Sequence, residues 1–218
     1  GGWCFRNPLP QGNRMRSLWG FGANDIWAVG DAGVIVHWNG TSWTGSKSGV
    51  FEPLKSLWGA STTQMWAVGF KGQIVRWNGT TWAQVASGVA ANLNSVWGVS
   101  ATNVWAVGDS GVILNWDGTK WNKKQSGVAD NLHAIWGTAA NDIWAMGDNA
   151  TILYWNGTSW TRKQSGHFEP MYAIWGTAKN DIWAAGATGI IQHYDGTSWS
   201  TESDTGSDNK TLYAIWGR

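Results

Sequence analysis

Charge is scarce in this sequence. Over 218 residues, 15 Lys+Arg stand against 14 Asp+Glu, giving a net charge of +1 with 13% charged residues. A protein that holds nucleic acid through its phosphates needs a concentrated basic footprint, and its absence argues against a nucleic-acid partner. Cysteine is nearly missing: Cys4 stands alone and cannot form an internal disulfide, so cysteine use neither demands nor excludes an oxidising compartment. No run of 18 apolar residues is present to span a bilayer. The opening GGWCFRNPLP has neither the charged nor the apolar region of a secretory signal, and without an initiator Met it reads as a processed or trimmed start.

Catalytic constellations are missing too. The four histidines, His37, His133, His167 and His193, have no His-x-x-x-His spacing, so no metal is expected. The glycine-rich segments never precede a helix, which removes a phosphate-binding loop. The arginines, Arg6, Arg14, Arg16, Arg76, Arg162 and Arg218, sit at unrelated positions, whereas a sialidase-like site would need them to converge. The expectation is a protein that is not an enzyme and carries no cofactor.

What is abundant is tryptophan, 21 residues, together with 30 glycines. Aligned on the dipeptide Trp-Gly, Trp19, Trp58, Trp97, Trp136, Trp175 and Trp216 fall in register at separations of 39, 39, 39, 39 and 41. A second series holds Trp27, Trp66, Trp105, Trp144 and Trp183; a third holds Trp38, Trp77, Trp116 and Trp155, with Tyr194 in the fifth place; a fourth holds Trp3, Trp43, Trp82, Trp121, Trp160 and Trp199. No tryptophan lies outside these series. A period near 40 residues means a repeat architecture.

One unit, Leu93 to Gly127, divides at its turn signals into four short runs, a (LNSVWG), b (NVWAVG), c (GVILNW) and d (KWNKKQ). All are rich in Val, Ile and Trp and too short for helices, so all four read as strands. Asn-Gly or Asp-Gly between c and d marks an antiparallel hairpin in every unit. Runs a and b are apolar on both faces, and blades arranged around an axis cover both by sandwiching each sheet between two neighbours. The predicted fold is therefore all-β, a β-propeller of four-stranded antiparallel blades. It forms one domain over residues 1–218, with repeat units at about 15–53, 54–92, 93–131, 132–170 and 171–210, and partial strands at 1–14 and 211–218. The GDAG, GDSG and GDNA turns, with Asp31, Asp109 and Asp148, lack the dense oxygen spacing of a calcium loop and read as b–c turns.

The order LxSIWG, DIWAVG, GxIxxWNG, GTSW, then SG resembles the tectonin-type propeller repeat and the WG-rich propellers of myxobacterial surface proteins. The NGTSW corner is also similar to the Asp-box of sialidase-like and photosystem-assembly propellers, although here nothing separates Asn39 from Gly40. The tectonin resemblance implies a lectin-like function, a glycan or glycoconjugate partner, and a cell-surface or extracellular location. By analogy with WD-repeat blades, a would be innermost and d outermost. The termini supply a d-like segment around Trp3 and a further a run, TLYAIWGR. Three arrangements follow: a five-bladed ring with surplus strands, a six-bladed ring with one incomplete blade, or a fragment of a longer chain, natural or engineered. An unfilled blade would offer edges to a second copy and so make a homo-oligomer.

An indole presents a flat apolar face to the C–H face of a pyranose while Asn or Asp bonds its hydroxyls. The a and b indoles are expected in the inter-blade core. The c and d indoles flank a polar corner, so the glycan-binding candidates are Trp38, Asn39, Trp43, Trp77, Asn78, Trp82, Trp116, Asp117, Trp121, Trp155, Asn156, Trp160, Tyr194, Asp195 and Trp199. A protein-interaction or structural scaffold is the alternative. For it the variable positions matter: the d–a connections alternate between FEP and VAxNL types, and the residues opening strand a run Arg16, Lys55, Asn94, His133, Tyr172, Tyr213. If a is innermost, those six ring the mouth of the central channel.

Overall fold

The computed structural model describes residues 12–164, 166–204 and 210–217. The d-like segment with Trp3 lies outside them. Five antiparallel four-stranded sheets follow one another, each ordered a-b-c-d as in the chain. The a strands are Met15–Gly22, Leu54–Ser61, Leu93–Ser100, Leu132–Ala139 and Met171–Ala178. The b strands are Asp25–Gly30, Gln64–Gly69, Asn103–Gly108, Asp142–Gly147 and Asp181–Gly186. Beyond them lie the c strands, Ile35–Trp38 in blade 1 to Ile190–Tyr194 in blade 5, and the d strands, Trp43–Ser46 to Trp199–Asp204.

The c–d hairpins pair Trp38 with Trp43 and Trp77 with Trp82, so each loop has four residues. Asn39 closes its loop by accepting the Thr41 and Ser42 amides at 3.0 and 2.9 Å, and Gly40 takes the left-handed conformation, φ +91°, that a side chain disfavours. The Asn-Gly pair thus works through an Asx turn.

Successive sheets meet chiefly through their a strands, which places a innermost. Serine hydroxyls stitch these strands together: Ser17 accepts the Leu57 amide at 3.2 Å, Ser56 that of Val96 at 3.1 Å, and Ser95 that of Ile135 at 3.3 Å. Each junction between consecutive blades carries its own apolar cluster; that between blades 2 and 3 joins Trp58, Trp66 and Ile74 to Leu93, Val96 and Trp116. The Trp-Gly dipeptide works as a stair across these junctions. The indole of Trp58 lies over Gly98, Trp97 over Gly137, Trp136 over Gly176, and Trp175 over Gly217, each so close that a Cβ on the glycine would sit 2.6–3.1 Å from a ring carbon. Gly is there because the preceding blade's ring occupies the space of a side chain.

Residues 210–217 begin a sixth position. Leu212 donates its amide to the Gly186 carbonyl at 2.9 Å and the Tyr213 ring packs 5.3 Å from Tyr172 at a tilt, but the segment joins no ladder among the described residues. Trp216 is 77% exposed, and the nearest atoms to a Cβ on Gly20, the first glycine of the stair, belong among the described residues to Ile26, Asp25 and Gly22 and not to an indole.

Candidate functional site

Of the indoles placed at the polar corners, most turn into the molecule. Trp82, Trp116, Trp121, Trp155 and Trp160 are buried, while Trp38, Trp43, Trp77, Tyr194 and Trp199 are half-buried. The reason is a three-ring cluster at the junctions: the b indole of one blade receives the c and d rings of the next. Trp27 lies 5.0 Å from Trp77 and 5.8 Å from Trp82, Trp105 lies 5.0 Å from Trp155 and 5.6 Å from Trp160, and Trp144 lies 4.8 Å from Tyr194 and 5.5 Å from Trp199. The d rings meet their b partners edge to face, the arrangement favoured by the ring quadrupole. At the blade 2–3 junction the guanidinium of Arg76 sits instead between Trp66 and Trp116, 5.3 Å from each.

The corner side chains Asn39, Asn78, Asp117, Asn156 and Asp195 are exposed, yet each spends an oxygen on the two amides of its own turn. The Thr119 hydroxyl and the Lys120 and Thr119 amides hold the Asp117 carboxyl well below the usual carboxylate range. The c–d corners therefore offer few free aromatic faces.

One junction differs. Between blades 1 and 2 a groove of about 380 Å³ is lined by Asp25, Trp27, His37, Gly45, Thr62 and Trp77 among others. Trp27 and His37 stack at 4.1 Å, and one Asp25 oxygen accepts both Trp27 Nε1 at 2.9 Å and His37 Nε2 at 2.7 Å. In blades 4 and 5 the second oxygen of the equivalent aspartate is taken by Thr138 or Thr177; in blade 1 that position is Phe21, which has no hydroxyl to give. Strand d opens the groove, because Gly45 and Ser46 stand where other blades carry Lys123 and Lys124 or Arg162 and Lys163.

The second site is the channel mouth. In every blade the a–b register slips where strand a begins: Met15 pairs with Gly30 and Ser17 with Val29, leaving Arg16 as the extra residue. The same slip isolates Lys55, Asn94, His133 and Tyr172. A bulge residue has no ladder partner and is re-aimed. These five, with Tyr213, Arg14 and Met15, line a cavity of about 260 Å³ at the centre of the ring.

The mouth has sectors. Arg16 is paired to Asp31 in its own b–c turn. Lys55 has Phe70 at the equivalent place, 4.7 Å below its ammonium, and donates to Asn94 Oδ1 at 2.6 Å. Asn94 in turn donates to Asp109 at 2.8 Å, and His133 meets Asp148 at 2.7 Å. Asn92 and Asn131 fill the other oxygens of those aspartates. Tyr172 has Ala187 there and instead packs 4.9 Å from His133. The turn aspartates are thus partners of the ring, and no group of three metal-ligating side chains forms among the described residues. No helix of the described residues is long and apolar enough to cross a membrane.

The b–c turns and d–a loops share this face, since strand a starts opposite the end of b and strand d ends opposite the start of c. Two large apolar side chains stand out on it: Phe51 is 91% exposed and Phe168 90%, both in FEP loops.

Among solved structures, the chain is similar to the WD40 β-propeller domain of Doa1, with TM-score 0.74, 12% identity, and cover of 89% of this chain and 69% of that one. The fold is that of a WD40-like β-propeller. It is also similar to YCF48 from Cyanidioschyzon merolae, with TM-score 0.67, 14% identity, and cover of 89% and 73%. A further similar structure is YCF48 bound to D1 peptide, with TM-score 0.50, 13% identity, and cover of 94% and 87%. No family model matches the sequence, and no curated protein does. These likenesses establish the β-propeller fold, and no comparison supports the tectonin type that the motifs resemble.

Proposed function

We propose that this propeller is a non-catalytic protein-binding module whose partner docks on the face built by the b–c turns and d–a loops. The observation that carries this reading is the exposure of Phe51 and Phe168, 91% and 90%, on the same face as a channel mouth whose six ring residues all differ except for two tyrosines. Large exposed apolar side chains mark contact surfaces, and aromatic anchors dominate the energy of such contacts. A similar propeller, YCF48, was solved bound to a D1 peptide, which supports a peptide or protein as the class of partner.

A photo-crosslinking residue placed at Phe51, with a control at Thr80 on the opposite face, tests the reading in extracts of the source cells. A partner captured at position 51 and not at 80, whose purified form binds at least ~10-fold more weakly to the Phe51→Ser/Phe168→Ser variant, supports it. Equal capture at both positions, or unchanged binding by the variant, refutes it.

The groove between blades 1 and 2 favours a second reading, a single glycan site. It combines the Trp77 ring, the second Asp25 oxygen and the hydroxyls of Thr44, Ser46 and Thr62, the mixture of flat apolar face and hydrogen-bonding groups that suits a sugar ring. Binding on a glycan array that Asp25→Asn abolishes would establish it; an array without signal would remove it.

A further inference from the structure

We infer that the channel mouth receives an acidic side chain of a bound peptide, with the residue next to it packing on the Tyr172–Tyr213 shelf. This inference rests on the protein-binding reading of the same face and names what the centre of that face recognises.

The argument is one of complementarity. The carboxylates near the mouth are already engaged: Asp31 by Arg16, Asp109 by Asn92 and Asn94, and Asp148 by Asn131 and His133. Among the described residues Lys55 has no carboxylate hydrogen-bonded to it, its contacts being the Asn94 carbonyl oxygen and the face of Phe70, and Arg14 has no ion pair. Arg14 and Lys55 thus form a cationic sector on the cavity, and the nearest carboxylate acting on Lys55, Asp109, stands off behind Asn94 and does not touch the ammonium. Burial holds the Lys55 amine below its ordinary value, Asp109 opposes this and Arg16 reinforces it. An incoming carboxylate relieves that cost.

In the same cavity Tyr172 and Tyr213 pack at 5.3 Å with their rings tilted by 39°, and Tyr213 is 74% exposed, so an aromatic surface lies open beside the cationic sector. The cavity, about 260 Å³, suits one or two side chains and not a folded element. Because Arg16, Lys55, Asn94, His133 and Tyr172 project from bulges, the pocket is available without disturbing the ladder of any blade.

The probes are capped tetrapeptides in which glutamate precedes phenylalanine, the glutamine and alanine analogues at those two places, and a peptide whose sole carboxylate is its free C-terminus. Titration is followed by amide shifts of Asn94 and His133. The expected result is weak binding of the glutamate–phenylalanine peptide, a ~10-fold loss for the glutamine analogue and a ~5-fold loss for the alanine analogue. Lys55→Met, which keeps the packing on Phe70, abolishes the glutamate/glutamine difference, and Tyr172→Leu abolishes the phenylalanine/alanine difference.

Equal binding of the glutamate and glutamine peptides, a difference that persists in Lys55→Met, stronger binding of the free C-terminus, or no shift at all overturns the inference. If the peptides fail while capture at Phe51 still depends on Phe51 and Phe168, the inference falls and the protein-binding face stands. If that capture fails as well, both fall.

Discussion

Gly98→Ala tests the Trp-Gly stair most directly. A Cβ at Gly98 would lie 2.6 Å from Cη2 and 2.7 Å from Cζ3 of Trp58. Ordinary contact begins near 3.4 Å, so the ring must withdraw by 3.4 − 2.6, about 0.8 Å. Trp58 is only 6% exposed and is held between blades 2 and 3, so it has little room to give. Overpacking of this kind costs about 1–3 kcal/mol. Gly98 has no left-handed φ, so the cost is steric and not conformational.

Urea denaturation followed by tryptophan fluorescence measures the loss. Gly45→Ala is the control, since nothing lies within 4 Å of its Cβ and its φ is ordinary; it is expected within about 0.5 kcal/mol of the parent. Trp58→Phe alone costs roughly 1–3 kcal/mol because the smaller ring leaves part of the seat empty. A phenyl ring lacks the two atoms that clash, so Gly98→Ala made in the Trp58→Phe background is expected to be milder by at least ~1 kcal/mol. Strictly additive costs, or a Gly98→Ala variant as stable as Gly45→Ala, would refute the stair.

Two further outcomes follow from other contacts. Burial lowers the His167 pKa below the ordinary 6.5, outweighing the opposite pull of Glu169; the unfolded chain then takes up this proton first, so stability contributed at neutral pH is lost as pH falls through and below about 6.5. Denaturation midpoints between pH 7 and pH 5 should decline less in His167→Gln, and parallel declines would contradict the assignment. Ser56→Ala leaves the Val96 amide without its acceptor at 3.1 Å, which should cost about 1 kcal/mol and accelerate hydrogen exchange at Val96, an effect absent if water replaces the hydroxyl freely.

Much of the architecture was legible because each blade solves the same problem in the same way. The register of the Trp-Gly dipeptide announced the period, Asn39-Gly40 and its equivalents announced the c–d hairpin, and the Val, Ile and Trp of b announced a strand covered on both sides. The ring of Arg16, Lys55, Asn94, His133, Tyr172 and Tyr213 was also readable, on the condition that a is innermost. The fate of the c and d indoles was not. Their flanking polar corner signals exposure along the chain, but what covers Trp82, Trp121 and Trp160 is the adjoining blade, a partner roughly a whole repeat away in sequence. The bulge escaped for a related reason: an unpaired residue in a strand looks like any other until the register of its neighbour is known. A faint signal existed in the spacing of Arg16 from Asp31, Asn94 from Asp109 and His133 from Asp148, always fifteen residues. The groove at blades 1 and 2 had one as well, the short side chains of Gly45 and Ser46 where other blades carry long ones.

The bulge at the start of strand a separates what must stay constant from what is free to change. Each repeat contributes a single residue that neither the ladder nor the apolar clusters constrain, and the circular arrangement brings those residues to one spot. The mouth is in effect a short word spelled one letter per blade, and a lineage can rewrite it by point mutation while the disc that displays it goes on folding as before.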